Sequence, residues 1–333
     1  MNKRLLIAAV LWIGMGAVSV CVGRYALTPG EIWAILWGGG PGDTARALFW
    51  NIRLPRVLFV AVGGGGLALA GLVFQTVFSN PLASPDVLGV SSGCSVGAVF
   101  AMVFLPGAGA VARQGLAFLA GITTVACALW LARFVQGSRV LGMVLAGIVV
   151  GSAASAMLMI LKYLADPQQQ LPVIEYWLMG GFQDVTGSDL PPLFLWTAVP
   201  ALVLYLLRFS LKVLSLGDEA AGALGLRPQG VRLLAVACAT LLVAAVVSVA
   251  GTVSWIGLIA PHLVRQAGGR DITREMGTVF FAGGILLLAA DLCARSLTSA
   301  EIPVSIFTSL LGAAVLAWLL AKGWRRGREE APL

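Results

Sequence analysis

Charge is what this sequence has least of. Of 333 residues only 11% are Asp, Glu, Lys or Arg, against roughly 25% in an ordinary soluble domain. Apolar residues make up 59%, more than a water-soluble protein of this size can hide. Whole stretches carry no charge: Val57 to Pro85, Gln114 to Ala132, Val140 to Leu161, Leu190 to Leu207, Leu233 to Val264, Met276 to Ala290 and Ile302 to Ala321. A spanning helix needs about 20 mostly apolar residues. The composition therefore excludes a water-soluble fold and points to an all-α, polytopic membrane protein.

Other absences narrow the chemistry. There is one histidine, His262, with no cluster around it, so neither metal ligation nor a Ser/His/Asp arrangement is supported. No GxxxxGK[ST] occurs, so the chain has no P-loop of its own for ATP. The five cysteines (Cys21, Cys94, Cys127, Cys238 and Cys293) are scattered, form no CxxC pair and read as small hydrophobes. Gly63-Gly64-Gly65-Gly66 lies inside an apolar run with no strand before it, which suits close helix packing rather than phosphate binding. No cofactor is expected.

Ten spans are predicted, near residues 5–22, 57–78, 93–105, 116–135, 140–164, 193–207, 233–250, 253–264, 279–293 and 304–321. The first is read as a retained helix rather than a signal peptide, given the many spans that follow it, and Val20 before Cys21 is bulky where a lipoprotein site wants a small residue. Gly251-Thr252 splits an uncharged stretch too long for one span. Placing both termini in the cytoplasm puts 15 of the 22 lysines and arginines inside, as the positive-inside rule requires. The net charge of +7 then reflects topology and contact with anionic lipid, not nucleic-acid binding. The loops leave no room for a second folded domain, so residues 1–333 are expected to form one transmembrane domain. The longest inner loop runs from Arg208 to Arg232.

Several segments resemble one family. They are Asn51-Ile52-Arg53-Leu54-Pro55-Arg56, Asn80-Pro81-Leu82-Ala83-Ser84-Pro85-Asp86, Leu216-Gly217-Asp218-Glu219-Ala220-Ala221 with Leu224-Gly225-Leu226, Gly257 to Arg265, Ala290-Asp291 before Arg295, and Glu301-Ile302-Pro303-Val304. In order and spacing they look like the FecCD/cobalamin-type permeases, membrane subunits of ABC importers for iron-siderophore complexes, haem and cobalamin. The resemblance implies ten helices per subunit in the bacterial inner membrane. It also implies a second permease copy or paralogue, a cytoplasmic ABC ATPase that hydrolyses the ATP, and a periplasmic substrate-binding protein. The chain itself would be no enzyme.

The same resemblance assigns residues. Gly217, Asp218, Glu219, Ala221, Leu224 and Gly225, within a loop at about 213–228, would couple to the ATPase. On residues alone the two acids could simply start a helix. Arg53, Arg56 and Arg295 would dock the binding protein through its carboxylates; alternatively they snorkel to headgroups. Gly137 and Ser138 fall where the family has its cytoplasmic gate, although family members often carry two hydroxyls there. Pro261, His262 and Arg265 would mark the inner end of the eighth helix. Asp291 and Arg295, one turn apart, suit an ion pair. A proton relay through Asp291 would instead make the chain an ion-coupled carrier, but the charge-free spans offer it no further buried acids. The expected cargo is a ferric siderophore, with cobalamin or haem as alternatives.

Overall fold

The computed structural model describes residues 3–23, 25–39, 42–136, 138–268, 271–298 and 300–329. Every regular element among them is helical: α1 (Lys3–Cys21), α2 (Pro29–Leu36), α3 (Asp43–Leu48), α4 (Leu54–Val77), α5 (Val90–Phe104), α6 (Gly109–Leu131), α7 (Arg139–Leu164), α8 (Gln170–Leu178), α9 (Leu190–Leu206), α10 (Arg208–Leu214), α11 (Asp218–Ala223), α12 (Pro228–Ala250), α13 (Ile256–Gln266), α14 (Ile272–Ser296) and α15 (Val304–Glu329). Each of the ten expected spans meets one long helix or, at α13, a short one. Seven of them are long and apolar enough to cross a membrane unaided, α5 is a shorter apolar helix, and α15 is apolar over Val304–Trp318.

α13 is the departure. Its 11 residues rise about 17 Å, half of a hydrocarbon core about 30 Å thick. α12 stops at Gly251, whose φ of 71° no β-branched residue would accept readily, and residues 252–255 run on without helix. Such backbone survives at membrane depth only where protein satisfies it. Here Gly181 N–H donates to Ala250 O at 2.8 Å, Val304 N–H to Gly180 O at 3.0 Å, and Thr252 Oγ1 to Leu178 O at 2.5 Å. The loops after α8, α12 and α14 thus knit together where α13 begins.

α4 is the hub. Nearly all its residues are buried, and α14, α12, α13 and α9 pack around it. The glycines make this possible. A Cβ on Gly64 would lie 2.6 Å from Gly283 O, and one on Gly71 would lie 1.8 Å from Gly257 O. Pro261 explains the second approach: lacking an N–H, it leaves Gly257 O without its helical donor, and α4 closes onto that carbonyl. Pro261 was expected to mark the inner end of this helix. It lies inside α13 instead, with five residues beyond it, because freeing one carbonyl for a neighbouring backbone does not require the helix to stop. Around the hub, α1 and α7 leave most side chains outward; in lipid such apolar faces cost nothing.

Candidate functional site: two membrane faces

At the outer face the chain enters α4 through a π-helical turn, Phe49–Arg53, which aims Arg53 and Arg56 toward the ends of α1 and α14. The structure brings Arg53, Arg56 and Arg295 together, as expected from topology, but turns them inward. They are only 5%, 7% and 6% exposed. Arg53 Nη1 donates to Val20 O at 2.6 Å and Cys21 O at 2.9 Å, and its Nη2 to Tyr25 O. Arg295 donates to Val22 O at 2.8 Å, to Ser19 Oγ at 2.7 Å and to Ser19 O. Apart from Tyr25 O, these acceptors lie at the C-terminal end of α1, where the last carbonyls have no helical donor and the dipole is negative. Two guanidiniums cap one helix.

Arg56 completes the cluster. Its Nε and Nη2 donate to Asp291 Oδ1 at 3.0 and 2.7 Å, and Nη1 to Glu301 Oε1 at 2.9 Å. Arg295 Nε stands 3.2 Å from Asp291 Oδ2. Asp291 is fully buried, so an acid that would be costly alone is held between two cations. The ion pair expected between Asp291 and Arg295 is present. Arg56 as the nearer partner was not legible, because 235 residues separate it from Asp291. The three arginines expected to meet a binding protein's carboxylates are thus turned inward here, their guanidiniums bonded to carbonyls at and just beyond the end of α1, to the buried Asp291 and to the partly exposed Glu301.

The inner face is built differently. Between α10 and α12 the loop carries the short helix α11, bracketed by Gly217 at φ 103° and Gly225 at φ 80°. Leu226 N–H donates to Ala221 O at 3.0 Å and Gly225 N–H to Gly222 O at 2.9 Å, the paired bonds that close a helix on a left-handed glycine. Asp218 accepts from Arg232 Nη2 at 2.6 Å and Nη1 at 3.1 Å. Those bonds hold its carboxyl below the usual aspartate range. Glu219 is exposed, Ala221 is buried, and Leu216 and Leu224 are each 66% exposed. Two outward leucines on a charged inner loop are what a partner surface needs.

A cavity of about 700 Å³ joins this loop to α13, with Gln75, Asn80, Leu216, Pro261, Arg265 and Asp271 among its walls. Arg265 reaches Gln75 Oε1 from α13, and Gln75 Nε2 donates to Leu258 O at 3.3 Å. His262 Nδ1 lies 3.0 Å from Leu258 O, which gives the lone histidine a structural partner. Across the cavity Lys212 pairs with Asp271 at 2.9 Å. Asp271 also caps α14, accepting from Thr273 N–H at 3.0 Å. Together the Lys212 and Thr273 bonds lower its pKa to about 2. Ser138 stands apart and caps α7 through Leu141 N–H. Gly137, its expected companion at the gate, lies outside the described residues.

Sequence reasoning missed Arg232, Gln75 and Glu301. Arg232 lies 14 residues from Asp218, beyond the three- or four-residue reach of neighbours on a helix, and Gln75 sits in a mostly apolar helix; only folding shows their partners. Glu301 stood in a quoted segment but without a role.

The comparisons agree with this architecture. A family model, the FecCD transport family, matches residues 10–322. The molybdate import system permease protein MolB of Haemophilus influenzae is 34% identical, with 96% of both chains covered. The vitamin B12 import system permease protein BtuC of Salmonella arizonae is 35% identical over 97% of this chain and 96% of its own. A metal-chelate type ABC transporter solved in an inward-facing conformation superposes with a TM-score of 0.88 at 32% identity, covering 97% of this chain and all of the other. With helix order, glycine-closed inner loop and near full-length similarity in agreement, the chain belongs to the FecCD transport family.

Proposed function

We propose that this chain is the transmembrane permease subunit of an ABC importer that moves a metal chelate from periplasm to cytoplasm, and that the chelate is a ferric siderophore. The supporting observation is the inner loop. A six-residue helix bracketed by positive-φ glycines and flanked by two exposed leucines, one of them on the wall of the cavity that runs to α13, suits a socketed contact with a separate ATPase. Asp218 and Arg232 fasten that helix to α12, so movement of the loop is passed to the bundle. Two permease copies, or a copy and a paralogue, would enclose the path. The chain supplies a route and a linkage; ATP hydrolysis belongs to its partner.

Docking of a binding protein is proposed on the outer face above the arginine cluster. Three cations and two acids leave that cluster one positive charge in excess, and Glu301 at its rim is the partly exposed acid. An incoming carboxylate would compete with Glu301 for Arg56. The siderophore reading rests on the Asn80 to Asp86 segment; vitamin B12 and molybdate are named for relatives and serve as comparison cargoes. The test is uptake by proteoliposomes holding the permease, an ABC ATPase and a periplasmic binding protein from the same organism. ATP-dependent accumulation of a ferric siderophore, unmatched by vitamin B12 or molybdate, is expected. Preferential uptake of either other cargo overturns the substrate, and cargo movement without any ATPase overturns the importer.

A further inference from the structure

Where α6, α7 and α12 meet the inner membrane boundary, three arginines surround a small cavity of about 120 Å³. Arg133 follows the end of α6, Arg139 opens α7, and Arg232 lies one turn into α12. Arg133 and Arg139 are exposed, and among the described residues neither has an ion pair. Arg232 is 5% exposed, and although its two terminal nitrogens hold Asp218, its Nε is buried without a partner. With one carboxylate against three guanidiniums the site is two charges positive. The long helices α7 and α12 both begin there, adding positive dipole ends.

The surroundings are those of a lipid-facing surface. Trp130 and Phe134 are 58% and 66% exposed and form an edge-on pair 5.1 Å apart at the end of α6, as aromatic side chains do at a membrane interface. Leu233 and Leu234, 49% and 45% exposed, continue the apolar surface along α12. We infer that this pocket binds the phosphate of an anionic inner-leaflet phospholipid, with the acyl chains along the leucines. Its volume, about four water molecules, is the scale of one phosphate group, and guanidinium forks match phosphate geometry. Because Arg232 also holds Asp218, a bound headgroup would touch the anchor of the inner loop. That consequence rests on the coupling reading; the lipid site does not.

The experiment is native mass spectrometry of the full chain purified with phosphatidylglycerol or phosphatidylcholine, comparing wild type with Arg133→Gln/Arg139→Gln. Both side chains are exposed and have no ion pair among the described residues, so the variant should fold. Wild type is expected to retain phosphatidylglycerol over phosphatidylcholine, and the variant to retain it about thirtyfold less, from two lost lipid-facing cations. Equal retention overturns the site. Displacement of the lipid by millimolar inorganic phosphate would show a free-anion site and overturn the lipid assignment. Unchanged lipid retention with loss of the co-purifying ATPase would make the patch a protein contact instead.

Discussion

The two faces of this molecule use arginine in opposite ways. On the outer face Arg53, Arg56 and Arg295 are buried, and their guanidiniums spend their hydrogen bonds on helix-end carbonyls and on Asp291 and Glu301. On the inner face Arg232 is the only buried arginine of its group, and its partner Asp218 is about half exposed. The first arrangement ties α1, α4 and α14 into a rigid unit. The second attaches a short, glycine-bracketed helix by one bidentate contact, which leaves it able to move as a body. Removing one member of a buried ion network strands the others in low dielectric, whereas an exposed pair is worth little. The same residue type therefore serves rigidity at one face and articulation at the other.

That contrast is broken most directly by Asp291→Ala, which leaves Arg56 and Arg295 buried without their acid. The expected loss is about 3–5 kcal/mol, seen as a large drop in melting temperature in detergent and in membrane yield. A wild-type melting curve would show that the outer cluster is not structural. Next in size is Gly225→Val. A Cβ there meets nothing within 4 Å, so the cost is backbone strain alone, about 1–3 kcal/mol confined to the loop. Uptake and ATPase co-purification should fall while the melting curve stays close to wild type; normal uptake would remove the loop from coupling.

Asp218→Ala is expected to cost about 1–2 kcal/mol, less than Asp291→Ala because the lost acid is half exposed, yet more than a surface pair because it leaves the buried Arg232 without its carboxylate. Its signature is ATP hydrolysis that no longer follows binding-protein addition. If stability falls as far as in Asp291→Ala, the proposed asymmetry between the faces is wrong. The smallest effect is with acid. Asp271 is held at about 2, so the stability it contributes is complete above the ordinary aspartate value near 4 and is lost only as pH falls toward 2. The hydrogen-exchange protection factor at the start of α14, taken relative to the intrinsic rate at each pH, should be the same at pH 7 and pH 5, and Asp271→Asn should abolish the acid-induced loss of protection below pH 4. A loss of protection already between pH 7 and 5 would mean that the cap is not made.

Much of this was readable without coordinates, and for definable reasons. Apolar runs and lysine–arginine bias report on solvent, which acts on each segment separately, so the membrane class, the span positions and the sidedness follow from local composition. The inner loop was legible too, since Gly217 and Gly225 bracket Asp218 and Glu219 within a few residues, and a turn is a local event. The break at Gly251 was placed correctly, but not the unwound residues after it, because the groups that satisfy Thr252 come from Leu178 and Ser305, far away along the chain.

What the sequence by itself determined is therefore the solvent, the order of helices and the two bracketing glycines, all set by interactions within about one helical length. Tertiary structure alone decided which way the outer arginines point, that Asp291 belongs to Arg56 across 235 residues, and that Arg232 holds Asp218. The physical reason is the same in each case. A charge near a membrane boundary can be satisfied by water, lipid, a helix end or another side chain at similar cost, and only the assembled neighbours decide among them.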